Sequence, residues 1–112
     1  MKFNYIYGKQ AEQYDYLYIP KAFMKEEPFK TMTALAKIMY AVLMEKQQKS
    51  VEMGWIDEKE HVYILANVVA ICAELNWDEA EAITAIEELE RFGLVEIAEK
   101  SDDMKLYLKR VV

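Results

Sequence analysis

Apolar residues recur at helical spacing through the middle of the chain. They occupy positions i, i+3, i+4, i+7 and i+8 of one stretch: Leu35, Ile38, Met39, Val42 and Leu43. This spacing predicts an amphipathic helix from Ala34 to about Lys49, with Thr33 as its N-cap. A second apolar row, Ala36, Tyr40 and Met44, lies beside the first. The helix is therefore apolar around most of its circumference, and we expect it to be central or to contact a second subunit.

Aromatic residues alternate with other residues near the N-terminus. The alternating positions are Phe3, Tyr5 and Tyr7, followed by Tyr14, Tyr16 and Tyr18. This period of two predicts two short strands, or an extended arm folded back on itself. We expect the arm to pack over the long helix or to form a dimer contact. The candidate residues for this packing are Tyr5, Tyr7, Tyr14, Tyr16 and Tyr40.

The segment after the long helix predicts a short hairpin and a second helix. Strand-like residues 55–56 and 61–65 flank the polar turn 57–60. A shorter helix is expected from about Asn67 to Leu75, with its apolar side chains facing inward.

A third long helix and a second hairpin complete the pattern. Asn76 is expected to cap this helix, with Glu79 in a capping box, and Gly93 is expected to end it. Residues 94–100 and 104–112 then alternate as two strands joined by the turn 101–103.

The order of elements is helix, strand, helix, helix, strand, strand, which is the winged helix-turn-helix arrangement. We therefore predict an α+β fold that is mainly helical, with an N-terminal β-like arm. The predicted single domain covers residues 1–112. It comprises the arm (1–20), a helical core with a short hairpin (33–93) and the wing (94–112). The third helix lies where such a domain has its recognition helix.

Four stretches carry a resemblance to a known family. They are "YGKQAEQYDYLYIPKAF", "TALAKIMYAVLMEKQQKS", "GWIDEKEHVYI" and "AITAIEELERFGLVE". Together they resemble the N-terminal domain of the plasmid replication initiator protein A family of Gram-positive bacteria, from about Tyr7 to Tyr107. The resemblance implies a dimeric winged helix that binds repeated sites at a plasmid origin. In the family, a longer chain with a separate C-terminal domain follows.

Charge distinguishes the third helix from that family. Residues 76–92 carry six carboxylates and one arginine, whereas the family's helix typically opens with Ser or Cys followed by lysines. Ile83, Ile86, Leu89 and Phe92 are expected to face inward at helical spacing. This leaves an outer face of Asp78, Glu81, Ala82, Ala85 and Glu88. Glu87 precedes Arg91 by four residues, which predicts an ion pair.

Two hypotheses of function follow. In the first, the domain binds double-stranded DNA in replication initiation, through lysines and an arginine of the wing and the N-terminal side: Lys100, Lys105, Lys109, Arg110, Lys21 and Lys25. In the second, the acidic helix docks on a basic protein surface through Asp78, Glu81 and Glu88. The net charge of −6 works against nonspecific binding to nucleic acid or to an anionic membrane. A homodimer is expected in either case.

Other classes of function find little support in the sequence. No nucleophile–base pair, phosphate-binding loop or metal-ligand spacing is present, so we expect no enzyme, cofactor or metal site. His61 is expected to be a surface residue and Cys72 a small buried one. The N-terminus lacks a signal peptide's apolar core, and no apolar run is long enough to span a membrane. We expect a cytoplasmic protein with no membrane partner.

Overall fold

The computed structural model describes residues 2–8, 16–101 and 103–111. Its helices are α1 (Ala22–Lys25), α2 (Ala34–Met53), α3 (Val68–Leu75) and α4 (Glu79–Arg91). A 3-10 turn, Glu27–Phe29, lies between α1 and α2. The strands are β1 (Ile64–Asn67), β2 (Val95–Glu99) and β3 (Asp103–Leu108). From α2 onward the order is that of a winged helix, as the sequence predicts.

The three strands form one antiparallel sheet in the order β1-β3-β2. Ile64 pairs with Leu106 across the first ladder, and Val95 pairs with Leu108 across the second. The predicted short hairpin before β1 is reduced to a single bridge between Ile56 and Val62. The strand that follows begins later than expected because its partner is β3 rather than the hairpin's first arm.

Helix α2 forms the centre of the core. Thr33 caps it as predicted, since its hydroxyl accepts a hydrogen bond from the Ala36 N–H group at 3.3 Å. The helix continues one turn beyond the predicted end, to Met53, and Gly54 stops it with a φ of 75°. A left-handed backbone at that position suits glycine. Met39 and Leu43 are fully buried, and the helix packs against α4 and the sheet.

The N-terminal arm forms no strand within its described residues, 2–8 and 16–20. The prediction of two strands is therefore wrong for this part of the chain, because no ladder of hydrogen bonds pairs it. The alternative prediction, an extended arm, remains. Tyr14 lies outside the described residues. Among the residues that the structure describes, no helix combines the length and the apolar character needed to cross a lipid bilayer.

Candidate nucleic-acid interface

Helices α3 and α4 form the helix-turn-helix, and a tight turn separates them. Asn76 ends α3 in the left-handed region, with a φ of 56°, and its N–H group donates to the Cys72 carbonyl. The predicted N-cap role of Asn76 is therefore wrong, because an N-cap residue needs an extended backbone. Asparagine tolerates the left-handed conformation, so it suits the end of a helix as well as the start of one.

Asp78 is the actual N-cap of α4, two residues later. Its carboxylate accepts from the Glu81 N–H group at 2.8 Å, and the Glu81 carboxylate accepts from the Asp78 N–H group at 3.2 Å. This reciprocal pair is a capping box with a carboxylate at both positions. Two of the six acids of this segment are thereby used to start the helix.

The face of α4 that packs on the core differs from the predicted one. Its buried residues are Ala82, Ala85, Ile86, Glu88 and Leu89. The alanines and Glu88 were expected outside, and that expectation is wrong. Helix α4 packs against both α2 and α3, so its buried face is wider than one stripe of large residues. Alanine allows the helix axes to come close together.

Glu88 binds the N-terminus of α2. Its Oε2 atom accepts from the Thr33 N–H group at 2.7 Å, and its Oε1 atom accepts from the Thr33 hydroxyl at 2.8 Å. Only 7% of Glu88 is exposed. The first N–H groups of a helix lack partners within the helix, and the helix dipole favours a negative charge there. Glu88 is therefore a structural residue of the α2–α4 contact and is not available to a partner.

The solvent-facing side of α4 therefore contains other residues than the predicted outer face. Its exposed residues are Glu79, Ala80, Thr84, Glu90 and Arg91, with Glu87 half-buried. The predicted ion pair between Glu87 and Arg91 is not formed within 4 Å. Exposed pairs of this kind gain little over two solvated side chains. The Arg91 guanidinium therefore remains solvated at the end of the helix.

The basic residues predicted as a DNA contact do not form one patch. Lys100 lies at the β2–β3 turn, whereas Lys109 and Arg110 follow the far end of β3. Six strand residues separate the two ends, a distance of about 20 Å. Lys109 pairs with Glu96, with 3.7 Å between Nζ and Oε2. Only Lys100 is therefore at the tip of the wing.

Lys105 lies on neither end. It is half-buried in the middle of β3, and its ammonium group lies 4.6 Å from the centroid of the Tyr63 ring. The sequence predicts it as a wing residue that contacts DNA, because it lies in the second strand of the predicted hairpin. The ring contact depends on the loop before β1, about 40 residues earlier in the chain, which no local pattern reveals.

Tyr40 contacts both helix α1 and the segment that follows β3. Its hydroxyl donates to the Lys109 carbonyl at 2.8 Å, and its ring meets that of Phe23 edge-on at 5.0 Å. Phe23 is the buried residue of α1, on which Lys21 and Lys25 are exposed. Burial raises the pKa of the Tyr40 hydroxyl. Tyr40 is only 3% exposed. Of the two alternatives predicted for it, a dimer contact is therefore wrong, and its packing partners are Phe23 and the end of β3.

The other arm residues fall into two groups. Tyr16 and Tyr18 line a cleft with Ala41 and Met44 of α2, although they are still 54% and 76% exposed. Tyr5 and Tyr7 do not line that cleft and are 86% and 66% exposed. Their side chains are accessible to a second molecule, so the dimer contact stays a prediction for these two.

Cys72 is half-buried on α3. Burial raises the pKa of its thiol, and the nearby carboxylates of Glu79, Asp78 and Glu81 raise it further. A thiol in such surroundings stays protonated and unreactive. The expectation of a small buried residue is met only in part, because Cys72 is half-buried.

The sequence was compared with known protein families and with curated proteins. The profile of a family described as the N-terminus of replication initiator protein A (RepA) matches residues 15–112. No curated protein matches the sequence significantly.

Solved structures show the same fold. One, "N-Terminal domain of DNA binding protein", has a TM-score of 0.79 at 24% identity and covers 99% of this chain and 86% of its own. Two others, "Structure of Rep-DNA complex" and "Structure of MDR initiator", also have TM-scores of 0.79 and 24% identity. Each covers 97% of this chain, and 85% and 88% of its own.

Proposed function

The chain belongs to the family of replication initiator protein A N-terminal domains, and from this we propose that it binds double-stranded DNA in the initiation of plasmid replication. Two of the similar structures are titled as a DNA-binding protein and a Rep–DNA complex. The observation that carries the proposal is the α3–α4 helix-turn-helix in a chain of this family. In a winged helix, this unit presents its second helix to the major groove.

The structure reduces the charge objection to such contact. A carboxylate about 7 Å from a phosphate is repelled by roughly 0.6 kcal/mol in water. Glu88 is buried against the start of α2, which leaves five acids near the solvent-facing side of α4: Asp78, Glu79, Glu81, Glu87 and Glu90. They cost about 3 kcal/mol together. Nonspecific binding of DNA-binding domains supplies roughly 5.5–8 kcal/mol. This binding free energy is larger than the repulsion from the acids of α4.

The side chains that support groove contact are small or basic. Ala80 and Thr84 are exposed one turn apart on α4, and short side chains let a helix approach the base edges closely. Arg91 on the same helix and Lys100 at the wing tip supply the positive charge for phosphates. The N-terminal basic group, Lys21 and Lys25, lies at helix α1, and Arg110 follows the end of β3 that is far from Lys100.

The test is binding of a fluorescent duplex carrying plasmid-origin repeats, with a shuffled duplex as control, at 50 mM salt. Lys100→Ala should weaken binding to both duplexes. It should also reduce the slope of log binding constant against log salt concentration by about one. Lys25→Ala is the matched control and should change little. A larger loss with Lys25→Ala would move the contact to the N-terminal basic group. Retention of neither duplex would refute the proposal.

The alternative function, an acidic surface that docks on a basic protein, has weaker support. Of its three predicted residues, Glu88 is buried and the other two bond to each other. A docking surface on α4 would have to use Glu79, Glu87 and Glu90 instead. A pull-down that depends on these three, and not on Lys100, would favour it.

A dimer through the arm is the remaining part of the proposal. It rests on the exposed aromatic residues of the arm, of which Phe3 is 85% and Tyr5 86% exposed. Phe3→Ser combined with Tyr5→Ser should convert a dimer to a monomer in light scattering. A wild-type monomer at high micromolar concentration would remove the dimer from the proposal.

A further inference from the structure

A groove of about 660 Å³ lies on the outer face of the sheet. We call it the sheet groove; its lining includes Asp57, Glu58, Lys59, His61, Tyr63, Glu96, Lys105 and Tyr107. Met104 and Leu106 of β3 are buried under the helices, whereas Lys105 and Tyr107 alternate with them. Successive strand residues point to opposite faces. The sheet groove is therefore on the side of the sheet that faces away from α2 and α4.

Asp57 holds the wall of the sheet groove in place. Its carboxylate accepts from the N–H groups of Lys59 and His61, at 2.8 and 2.9 Å, and from the Tyr107 hydroxyl at 2.9 Å. These bonds fasten the loop before β1 to strand β3. The Trp55 ring stacks on Tyr63 at 6.5 Å with an interplanar angle of 10°, which fixes the aromatic floor. The sheet groove is thus a built feature rather than a gap between mobile loops.

The sheet groove already accommodates a cation. The Lys105 ammonium lies 4.6 Å from the Tyr63 ring centroid and 6.0 Å from that of Tyr107. No carboxylate of the described residues lies within 4 Å of it. The two tyrosine rings therefore interact with this ammonium through their negative faces.

The lining also offers a carboxylate to a cation. Its acids are Asp57, Glu58 and Glu96, of which Asp57 is bonded to the loop and Tyr107 and Glu96 pairs with Lys109 at 3.7 Å. Glu58 is exposed and forms no ion pair within the described residues. Flat aromatic faces beside carboxylates match a planar guanidinium group, which stacks and donates hydrogen bonds at the same time.

We propose that the sheet groove binds an arginine side chain from a basic segment of a partner protein. The guanidinium stacks on Tyr63 or Tyr107 in the place of the Lys105 ammonium. Glu58 accepts its hydrogen bonds, together with Glu96, which exchanges its exposed ion pair with Lys109 for the guanidinium. A nucleic acid strand fits this place less well, because its phosphates would meet the same three carboxylates. Anionic ligands are better matched by the adjoining smaller cleft, which Lys109 and Arg110 line.

The test uses the full 112-residue chain and the peptide acetyl-Gly-Arg-Gly-Arg-Gly-amide. Its control is the same peptide with citrulline, the neutral analogue, at both arginines. The ring resonances of Tyr63 and Tyr107 and the fluorescence of Trp55 report on occupancy. We expect saturable changes with the arginine peptide and at least tenfold weaker binding of the citrulline peptide. Equal binding of both peptides, or no binding of the arginine peptide, overturns the proposal.

Charge variants distinguish binding in the sheet groove from a general effect of the protein's net charge. Glu58→Gln with Glu96→Gln should weaken the arginine peptide several-fold, whereas Glu79→Gln with Glu90→Gln removes the same charge from α4 and should have little effect. Lys105→Met removes the competing ammonium and should strengthen binding. Weaker binding with Lys105→Met, or shifts of the same rings by a thymidine hexanucleotide in place of the peptide, contradicts an arginine site. None of these results depends on binding of the origin duplex.

Discussion

Helix α4 and the sheet groove are both rich in carboxylates, but they use them differently. On α4, Glu88 is bonded to the start of α2, and Asp78 and Glu81 close a capping box. In the sheet groove, Asp57 fastens one wall while Glu58 and Glu96 remain exposed. The comparison shows that the number of acids in a segment does not give the charge that the segment presents. Three of the six acids in this segment bond to the fold, and one of them, Glu88, is buried and removed from the surface.

The largest expected effect is on stability, at Glu88. Glu88→Ala removes two charge-assisted hydrogen bonds and leaves the start of α2 without its partner. It should lower the free energy of unfolding by about 2–3 kcal/mol, measured by urea denaturation. Glu90→Ala, on the exposed side of the same helix, should stay within about 0.5 kcal/mol of the wild type. Equal losses in the two variants would mean that Glu88 is as solvated as Glu90.

A smaller effect is expected at the start of α4. Asp78→Ala removes the cap and should cost about 1 kcal/mol. Asn76→Gly should be neutral or stabilising, because glycine adopts the left-handed backbone of that position more readily. If Asn76 were the cap, as its position in the sequence suggests, Asp78→Ala would instead be close to neutral. Thermal unfolding of the two variants decides between these assignments.

The contact between Asp57 and Tyr107 gives a prediction for pH. The hydrogen bond from the His61 N–H group, followed by those from the Tyr107 hydroxyl and the Lys59 N–H group, lowers the pKa of Asp57 below its usual 3.8. The bond to Asp57 raises the pKa of Tyr107 above 10.0. The stabilisation from Asp57 is therefore complete above pH 3.8 and is lost as the pH falls through its lowered pKa. That from Tyr107 is complete below pH 10 and is lost as the pH rises through its raised pKa.

Asp57→Asn tests that contact directly. The substitution removes the negative charge beside the Tyr107 hydroxyl, so the pKa of Tyr107 should fall towards its usual value. Carbon-13 NMR of the tyrosine ring measures it. Glu58→Gln, next in sequence but without a bond to Tyr107, is the control. An unchanged pKa in Asp57→Asn would show that the loop is not fastened to β3 in solution.

Local patterns were sufficient for most of the fold. The N-cap at Thr33, the left-handed glycine at Gly93 and the order of helices and strands follow from residue spacing and turn chemistry. These features depend on neighbours a few residues apart. The family resemblance, carried by short stretches of sequence, is confirmed by the match over residues 15–112.

The candidate sites depend on contacts that spacing does not encode. Glu88 and Thr33 are 55 residues apart, and Asp57 and Tyr107 are 50 apart. From the sequence alone, Glu88 has the spacing of an outward residue because an isolated helix has one buried stripe, whereas α4 packs on two neighbours. The position of Lys105 over the Tyr63 ring could not be predicted either, because the two residues are far apart in the sequence.

The most direct test of this account compares matched charge changes in the two regions by DNA binding. Glu87→Gln with Glu90→Gln removes two charges from the exposed side of α4, and Glu58→Gln with Glu96→Gln removes two from the sheet groove. We expect the first pair to strengthen binding of the origin-repeat duplex several-fold at 50 mM salt, and the second pair to change it much less. Equal strengthening by both pairs would contradict the account, because it would mean that DNA senses only the net charge and that α4 does not face it.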